Sequence, residues 1–364
     1  VQDLWKTPTV GAADIVLPVC HWLEVDCPRL SQGATGAQGA NCRCIEPPAD
    51  CHFDVDIILD VYKRMGIPWA DDPVSYGLPE GVQWPTTEQL YDRTISTTGL
   101  TWQEYKEAFQ EHGWWDCRAI NPEVWGTYRR YETGRMSAVG ETPAGNPMKG
   151  FSTPTRKQEL WSTVMETYEP SGKFNLPTWE PAPRTELADP SIVEEWPFLM
   201  TTGRRIPVYF HSEHRQLPWC RELWPVPKCE INPVDAEKLC VTQGDWVWIE
   251  SPEGKVRQTV DLYYGVEPGV INCEHQWWYP ELDQAGGGFE LSTINCLVTG
   301  EDQDPICGAS YLRAYNVKVY KATADNSPFG NPVPCGEDGT PIICDASDAR
   351  LLDWMPNYEI RNEA

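Results

Sequence analysis

Thr201-Thr202-Gly203-Arg204-Arg205-Ile206-Pro207-Val208-Tyr209-Phe210-His211-Ser212-Glu213-His214-Arg215 follows directly on the apolar run Phe198-Leu199-Met200. The run predicts a buried strand, and the small residues after it predict a turn. Gly203 permits close approach of the backbone, and the arginines offer guanidinium forks that match phosphate oxygens. Backbone N–H groups and fixed cations combine in this way at sites for polyanions. A basic turn on an ordinary surface has the same composition, so the stretch needs corroboration from the rest of the chain.

Working outward, 364 residues are enough for two domains with sizeable cores. Eighteen Trp and fifteen Tyr mark an ordered protein with deep pockets, and 33 Pro and 28 Gly imply much irregular backbone. A net charge of −25 argues against a nucleic-acid or anionic-membrane partner, each of which needs a basic face. Solubility is the commoner origin of such acidity. No apolar run approaches the roughly 20 residues of a membrane span. The sequence starts at Val1 and reads from there as mid-domain, so a signal peptide is neither indicated nor excluded.

Of the 14 cysteines, Cys42, Cys44 and Cys51 form the densest group, without zinc or ferredoxin spacing. The others are scattered, and most are expected to be buried free thiols, since a disulfide framework does not suit a chain this long. Oxygen-free habitats would tolerate them. An exported location, at the cell surface or in the periplasm, is placed slightly ahead of a cytoplasmic one.

The first part, 1–132, has α/β texture. Asp14-Ile15-Val16-Leu17 predicts a buried strand of a parallel sheet, stopped by Pro18, and a Gly-rich loop spans Ser31 to Gly39. Phe53 to Met65 has helical spacing with Gly66 as its stop, and Thr101 with Glu104 forms a capping box that opens a helix to His112. Residues 133–195 turn to Pro, Gly, Thr and Glu and predict a linker, with one short helix from Lys157 to Tyr168. From 196 to 321, short strands recur at Asp245–Ile249, Val256–Tyr264, Gly269–Cys273 and Val317–Tyr320, the pattern of a β-barrel. Pro233 is placed to open a helix through Leu239, and a Pro/Gly-rich tail, 322–364, carries a hairpin turn at Asp338-Gly339.

Thr202-Gly203-Arg204, His211-Ser212, Ile231-Asn232-Pro233 with Ala236, and Gln243-Gly244-Asp245 occur in one order. Together they resemble the dinucleotide-binding C-terminal domain of the dimethyl-sulfoxide-reductase family of molybdenum and tungsten enzymes. The loop Asn295 to Gly308 looks like the family's closing loop, and Ala13–Glu24 and Gly150–Ser162 match its style. The resemblance implies an α/β domain remnant followed by a double-psi-like β-barrel. It also implies a cofactor of two molybdopterin guanine dinucleotides holding molybdenum or tungsten. By matching positions, Thr202, Gly203 and Arg204 would meet a pyrophosphate or pterin edge, and His211, Ser212 and Arg215 the pterin or phosphate. Asn295 and Asp304 would read polar edges of the cofactor. For each, the plainer alternative is an ordinary loop or strand-end residue.

His275, beside Trp277 and Trp278, either lines a pterin pocket or sits in a packed aromatic corner. His21 and Glu24 lie just past a strand end, where open α/β sheets place ligands, and would serve there as acid and base. A structural His and a solvated Glu are the commoner case. His211 and His214 have metal-like spacing but no third ligand, and no metal site is assigned.

The family carries its metal ligand and usually a [4Fe-4S] cluster in an N-terminal half that nothing here matches. The chain is therefore expected to be the C-terminal part of a longer or split enzyme, partnered by that half. An iron–sulfur electron-transfer subunit is a further expected partner. The wording of 203–222 and 273–284 resembles the branch containing acetylene hydratase and the catechol dehydroxylases of anaerobic gut bacteria. A catechol-type substrate losing a ring hydroxyl is the leading expectation. A tungsten hydratase, or a clamp for the dinucleotide without chemistry of its own, are the alternatives.

Overall fold

The computed structural model describes residues 1–30, 37–113, 115–116, 153–204, 208–311 and 313–354. Most of the Gly-rich loop, Arg205, the first twenty linker residues and the end of the tail lie outside them. The chain divides into two compact units, Val1–Trp5 with Ile15–Thr178, and Lys6–Asp14 with Trp179–Ala364. The division falls between Thr178 and Trp179, so residues 179–195 of the expected linker belong to the second unit.

In the first unit, β1 (Gln2–Asp3) and β2 (Leu17–Pro18) pair in parallel. The strand expected at Asp14–Leu17 is thus displaced and not buried: Ile15 and Val16 are exposed, and Pro18 lies inside the strand. The cause is that β2 has too few described neighbours to cover it. β3 (Cys27–Leu30), β4 (Ala37–Asn41) and β5 (Trp115–Asp116) form a separate antiparallel sheet. Helix Asp54–Met65 ends at Gly66 with φ of 68°, a left-handed C-cap that costs glycine little. Helices Thr87–Thr94 and Trp102–His112 each begin with a complete capping box, at Thr86/Gln89 and Thr101/Glu104. They enclose a small core of Ala40, Tyr91, Ile95, Trp102 and Tyr105. Among the described linker residues, α-helix is confined to Met165–Tyr168, a single turn where a helix from Lys157 was expected, and a 3-10 turn spans Pro190–Glu194. Glu159 there accepts from Thr155 and Thr163, a local side-chain arrangement that competes with helix.

The second unit is a closed six-stranded barrel, as expected. Its strands are β6 (Phe198–Arg204), β7 (Lys228–Ile231), β8 (Trp246–Ser251), β9 (Gly254–Leu262), β10 (Val270–Glu274) and β11 (Tyr315–Lys321). The order around the barrel is β10-β6-β11-β8-β9-β7. β6 with β10 and β7 with β9 are parallel, and the remaining pairs antiparallel. Inward-facing Met200, Ile231, Val247, Ile249, Ile271 and Val317 fill the core.

The motif Asn232-Pro233-Val234-Asp235-Ala236 is explained by this packing. Asn232 caps helix Pro233–Leu239 through the Val234 N–H and donates to the Val266 carbonyl at 2.8 Å. Asp235, buried, accepts from the Gly269 N–H at 2.6 Å and fixes the entry into β10. Gly254 is required by a close approach: a Cβ there would lie 2.8 Å from the Cys296 carbonyl oxygen. The thirteen described cysteines are all free, as expected, but only five are buried; Cys240 caps a helix at the surface.

The tail packs on the barrel unit, with Ile342 and Ile343 in its interior. Arg221, fully buried, forks onto both Glu281 carboxylate oxygens at 3.0 and 2.8 Å and donates to the carbonyls of Pro225 and Ile343. The Ile343 N–H in turn donates to Glu281. Removal of one partner would strand a charge out of water. Arg221→Ala or Glu281→Ala is therefore expected to lower unfolding stability by about 3–5 kcal/mol, read from urea denaturation of the purified protein.

Candidate cofactor-binding site

β6 and β10 are parallel, so the chain leaves both at the same rim of the barrel. The turn expected at Thr201–Arg204 is still strand, with its end deformed. Cys273 pairs with Thr202 but Glu274 pairs with Arg204, which makes Gly203 the extra residue of a bulge with φ of 100°. Only glycine adopts that backbone without strain. The guanidinium of Arg313 lies beside the bare Gly203 Cα, 3.9 to 4.0 Å from where a Cβ would stand. Arg313 precedes β11, whose pairing of Tyr315 with Met200 carries it towards Thr202. It is exposed and has no ion pair among the described residues.

The segments that follow the two strands are fastened to each other. His211 Nδ1 faces His275 Nε2 at 3.1 Å, so one ring donates and the other accepts. The Trp278 indole donates to the Ser212 carbonyl at 2.8 Å. Arg215 does not face solvent: its guanidinium is clamped over Tyr209 at 4.0 Å and Trp277 at 4.6 Å, and donates to the Glu213 carbonyl. Burial pushes its pKa down to about 10. Glu274, also buried, takes the Trp224 indole N–H at 2.9 Å. His211, His214 and Gln276 all have positive φ, a concentration of strained backbone at one rim.

Three buried polar atoms of this rim, Arg215 Nε, Trp277 Nε1 and Gln276 Oε1, have no hydrogen-bond partner among the described residues. Such atoms are costly unless something polar meets them. Together with Thr202, the Gly203 bulge, Arg313, His211 and His275, they suit a flat, polar, anionic ligand.

The other predicted residues fall elsewhere. Asn295 is exposed on the turn Ile294–Leu297, between two buried side chains. Asp304 Oδ1 accepts from the N–H groups of Cys307 and Ile306, both at 2.9 Å, and so shapes its own loop. The ion pair that anchors this loop uses Asp302, 2.6 Å from Arg184. His214 sits 3.9 Å from Glu213 while His211 faces His275, so the two rings serve different partners. In the first unit, Glu24 accepts from the His21 backbone N–H at 2.8 Å, and His21 Nδ1 accepts from Leu23. The pair closes a local turn, and the carboxylate meets the backbone of His21 instead of its ring. Sequence reasoning missed Arg313 and Gln276, whereas an indole N–H beside His275 was among its expected pocket donors; for Arg313, an arginine just ahead of the last strand was the available signal.

Residues 198–315 match the family model described as a molydopterin dinucleotide binding domain. The barrel is therefore the molybdopterin dinucleotide-binding domain of a dimethyl-sulfoxide-reductase-family protein, and the chain corresponds to a C-terminal portion of longer members. Among curated relatives, dopamine dehydroxylase of Eggerthella lenta is 47% identical over 99% of this chain and 39% of its own length. Acetylene hydratase of Syntrophotalea acetylenica is 28% identical over 88% of this chain and 39% of its own length. The solved acetylene hydratase of Pelobacter acetylenicus superposes with a TM-score of 0.69, at 25% identity, over 88% of this chain and 40% of that one. The chain thus spans about two fifths of the length of these relatives.

The Cys307 and Ile306 N–H groups hold the Asp304 carboxyl below the usual carboxylate range. A depressed folded-state pKa stabilises the loop above the unfolded value, and the effect is lost as pH falls through the folded one. Hydrogen exchange at Ile306 and Cys307, corrected for intrinsic rate, should stay slow at neutral pH and accelerate only below the ordinary Asp value of about 3.9. Asp304→Asn keeps the acceptor and should remove that acid response.

Proposed function

We propose that this chain is the dinucleotide-clamping portion of a molybdopterin-dependent oxidoreductase that removes a ring hydroxyl from a catechol-type small molecule. In the balanced reaction, the arene C–O bond breaks, a C–H bond forms, and two electrons and two protons release the oxygen as water. The observation that carries this reading is the 47% identity to a dopamine dehydroxylase along 99% of the chain. The cofactor would be the bis-molybdopterin guanine dinucleotide with molybdenum or tungsten, and it supplies the two-electron chemistry when bound. This chain's residues bind and orient. Thr202, Gly203 and Arg313 suit an anionic group, which Arg204, whose side chain lies outside those described, would join by its matching position, and His211, Ser212, His275, Gln276 and Trp277 suit polar pterin edges. A [4Fe-4S] cluster and an iron–sulfur electron donor belong to the same proposal, outside these residues.

A second reading is a tungsten lyase that hydrates acetylene without net electron transfer, favoured by the TM-score of 0.69 to an acetylene hydratase. The two differ in electron demand. The full-length enzyme should oxidise reduced viologen only when a catechol is present, and absence of that activity with every catechol tried would end the dehydroxylase reading. Arg204→Ala, His211→Ala and Arg313→Ala should each lower metal and pterin content together, measured by elemental analysis and pterin extraction. Unchanged content in all three would sink the site assignment.

His21 and Glu24 are occupied with their own turn, so substituting either with Ala should reduce turnover by less than tenfold. A general acid or base would show a loss of roughly 100-fold or more.

A further inference from the structure

The first unit contains a face that its own core does not use. Helix Asp54–Met65 buries only Leu59. Ile58, Val61, Tyr62 and Met65, spaced i, i+3, i+4 and i+7, form an apolar stripe on which every residue is exposed, Met65 to 66%. Neighbouring helices behave differently: Tyr91, Trp102 and Tyr105 all point into the core. Beside the stripe runs a groove of about 720 Å³, with Leu17, Ile57, Val61 and Pro85 among its apolar lining.

The second observation is the sheet fragment that flanks this helix. β1 and β2 are two residues each and parallel, with Ile15 exposed to 69% beside them. Gln2 is tied to Asp54 at the start of the helix, and Leu17 of β2 lines the groove, so sheet and stripe are continuous. Parallel sheets are covered on both faces, and a pair this short has no stability of its own. Among the described residues, no strand continues the sheet past β1. On the same helix Asp54, Asp56 and Asp60 outnumber Lys63 and Arg64, and the chain as a whole carries a net charge of −25, which argues against an anionic lipid surface as the cover.

We propose that the stripe of helix Asp54–Met65 and the β1–β2 fragment are one docking face for the remaining polypeptide of the enzyme. That polypeptide would extend the parallel sheet past β1 and lay apolar side chains on Ile58, Val61, Tyr62 and Met65. The proposal rests on the reading of the chain as part of a longer or split enzyme. Length points to this occupant: the matched part of the relatives is only 39% of each, and the rest must meet this portion somewhere.

The test places a photo-reactive phenylalanine analogue at Tyr62, and in a second variant at Ile15, in the full-length enzyme. After irradiation, the crosslinked peptides are identified by mass spectrometry. The expected product joins each position to polypeptide outside residues 1–364. In parallel, radical labelling of Met65 in the native enzyme should be at least tenfold slower than in the same enzyme in urea. A crosslink to residues within 1–364, to a second copy of this chain, or to nothing would overturn the proposal, as would labelling of Met65 at the unfolded rate. Pterin and metal content of the same preparation is read separately. A full-length protein without cofactor would count against the proposed function while leaving the docking result to stand or fall alone.

Discussion

Because β6 and β10 run parallel, the chain must leave both strands at the same rim, and everything at the candidate site depends on that constraint. Two segments far apart in sequence, 208–215 and 275–281, become neighbours. The His211–His275 contact and the Trp278–Ser212 hydrogen bond are the consequence. An antiparallel pairing would send the two segments to opposite ends of the barrel and leave no shared rim. The bulge at Gly203 then turns the strand end outward beside Arg313, which arrives on the antiparallel strand β11.

A rim made of strained loops needs support from beneath, and buried ions provide it. Arg215 is held against two rings, and the Glu274 carboxylate takes the Trp224 indole N–H while its backbone N–H donates to Gln258 Oε1. Arg221 and Glu281 join the helix Pro218–Leu223, the aromatic segment and the tail at one point. Charges out of water tolerate little displacement, because each hydrogen bond lost leaves an uncompensated group. This rigidity suits a site whose task is to orient a cofactor. It also explains why a tail with a loop-like composition is part of the barrel unit.

Local signals in the sequence were legible where a few neighbouring residues decide the backbone. Thr101 with Glu104, Gly66, and Asn232 with Pro233 each act within one turn of helix, and each is found where its chemistry places it. Signals that depend on distant partners were not. Arg215 looks like an anion ligand by its neighbours in sequence, yet burial between Tyr209 and Trp277 gives it a packing role. Asp304 looks like a ligand to the cofactor's polar edge, yet its Oδ1 closes its own loop. The strand at Ile15 and Val16 looks buried, yet the residues that would cover it are not among those described.

By itself, the sequence determined the two textures of the chain, the helix ends, the recurring short strands and the ordered motifs of a dinucleotide-binding barrel. These follow from contacts a few residues apart, or from a pattern that many such barrels share. Only the tertiary structure decided which side chains meet at the rim, which charges are buried, and which apolar face stays uncovered. Those outcomes depend on strand order and direction, since parallel neighbours bring together residues that no local pattern can associate.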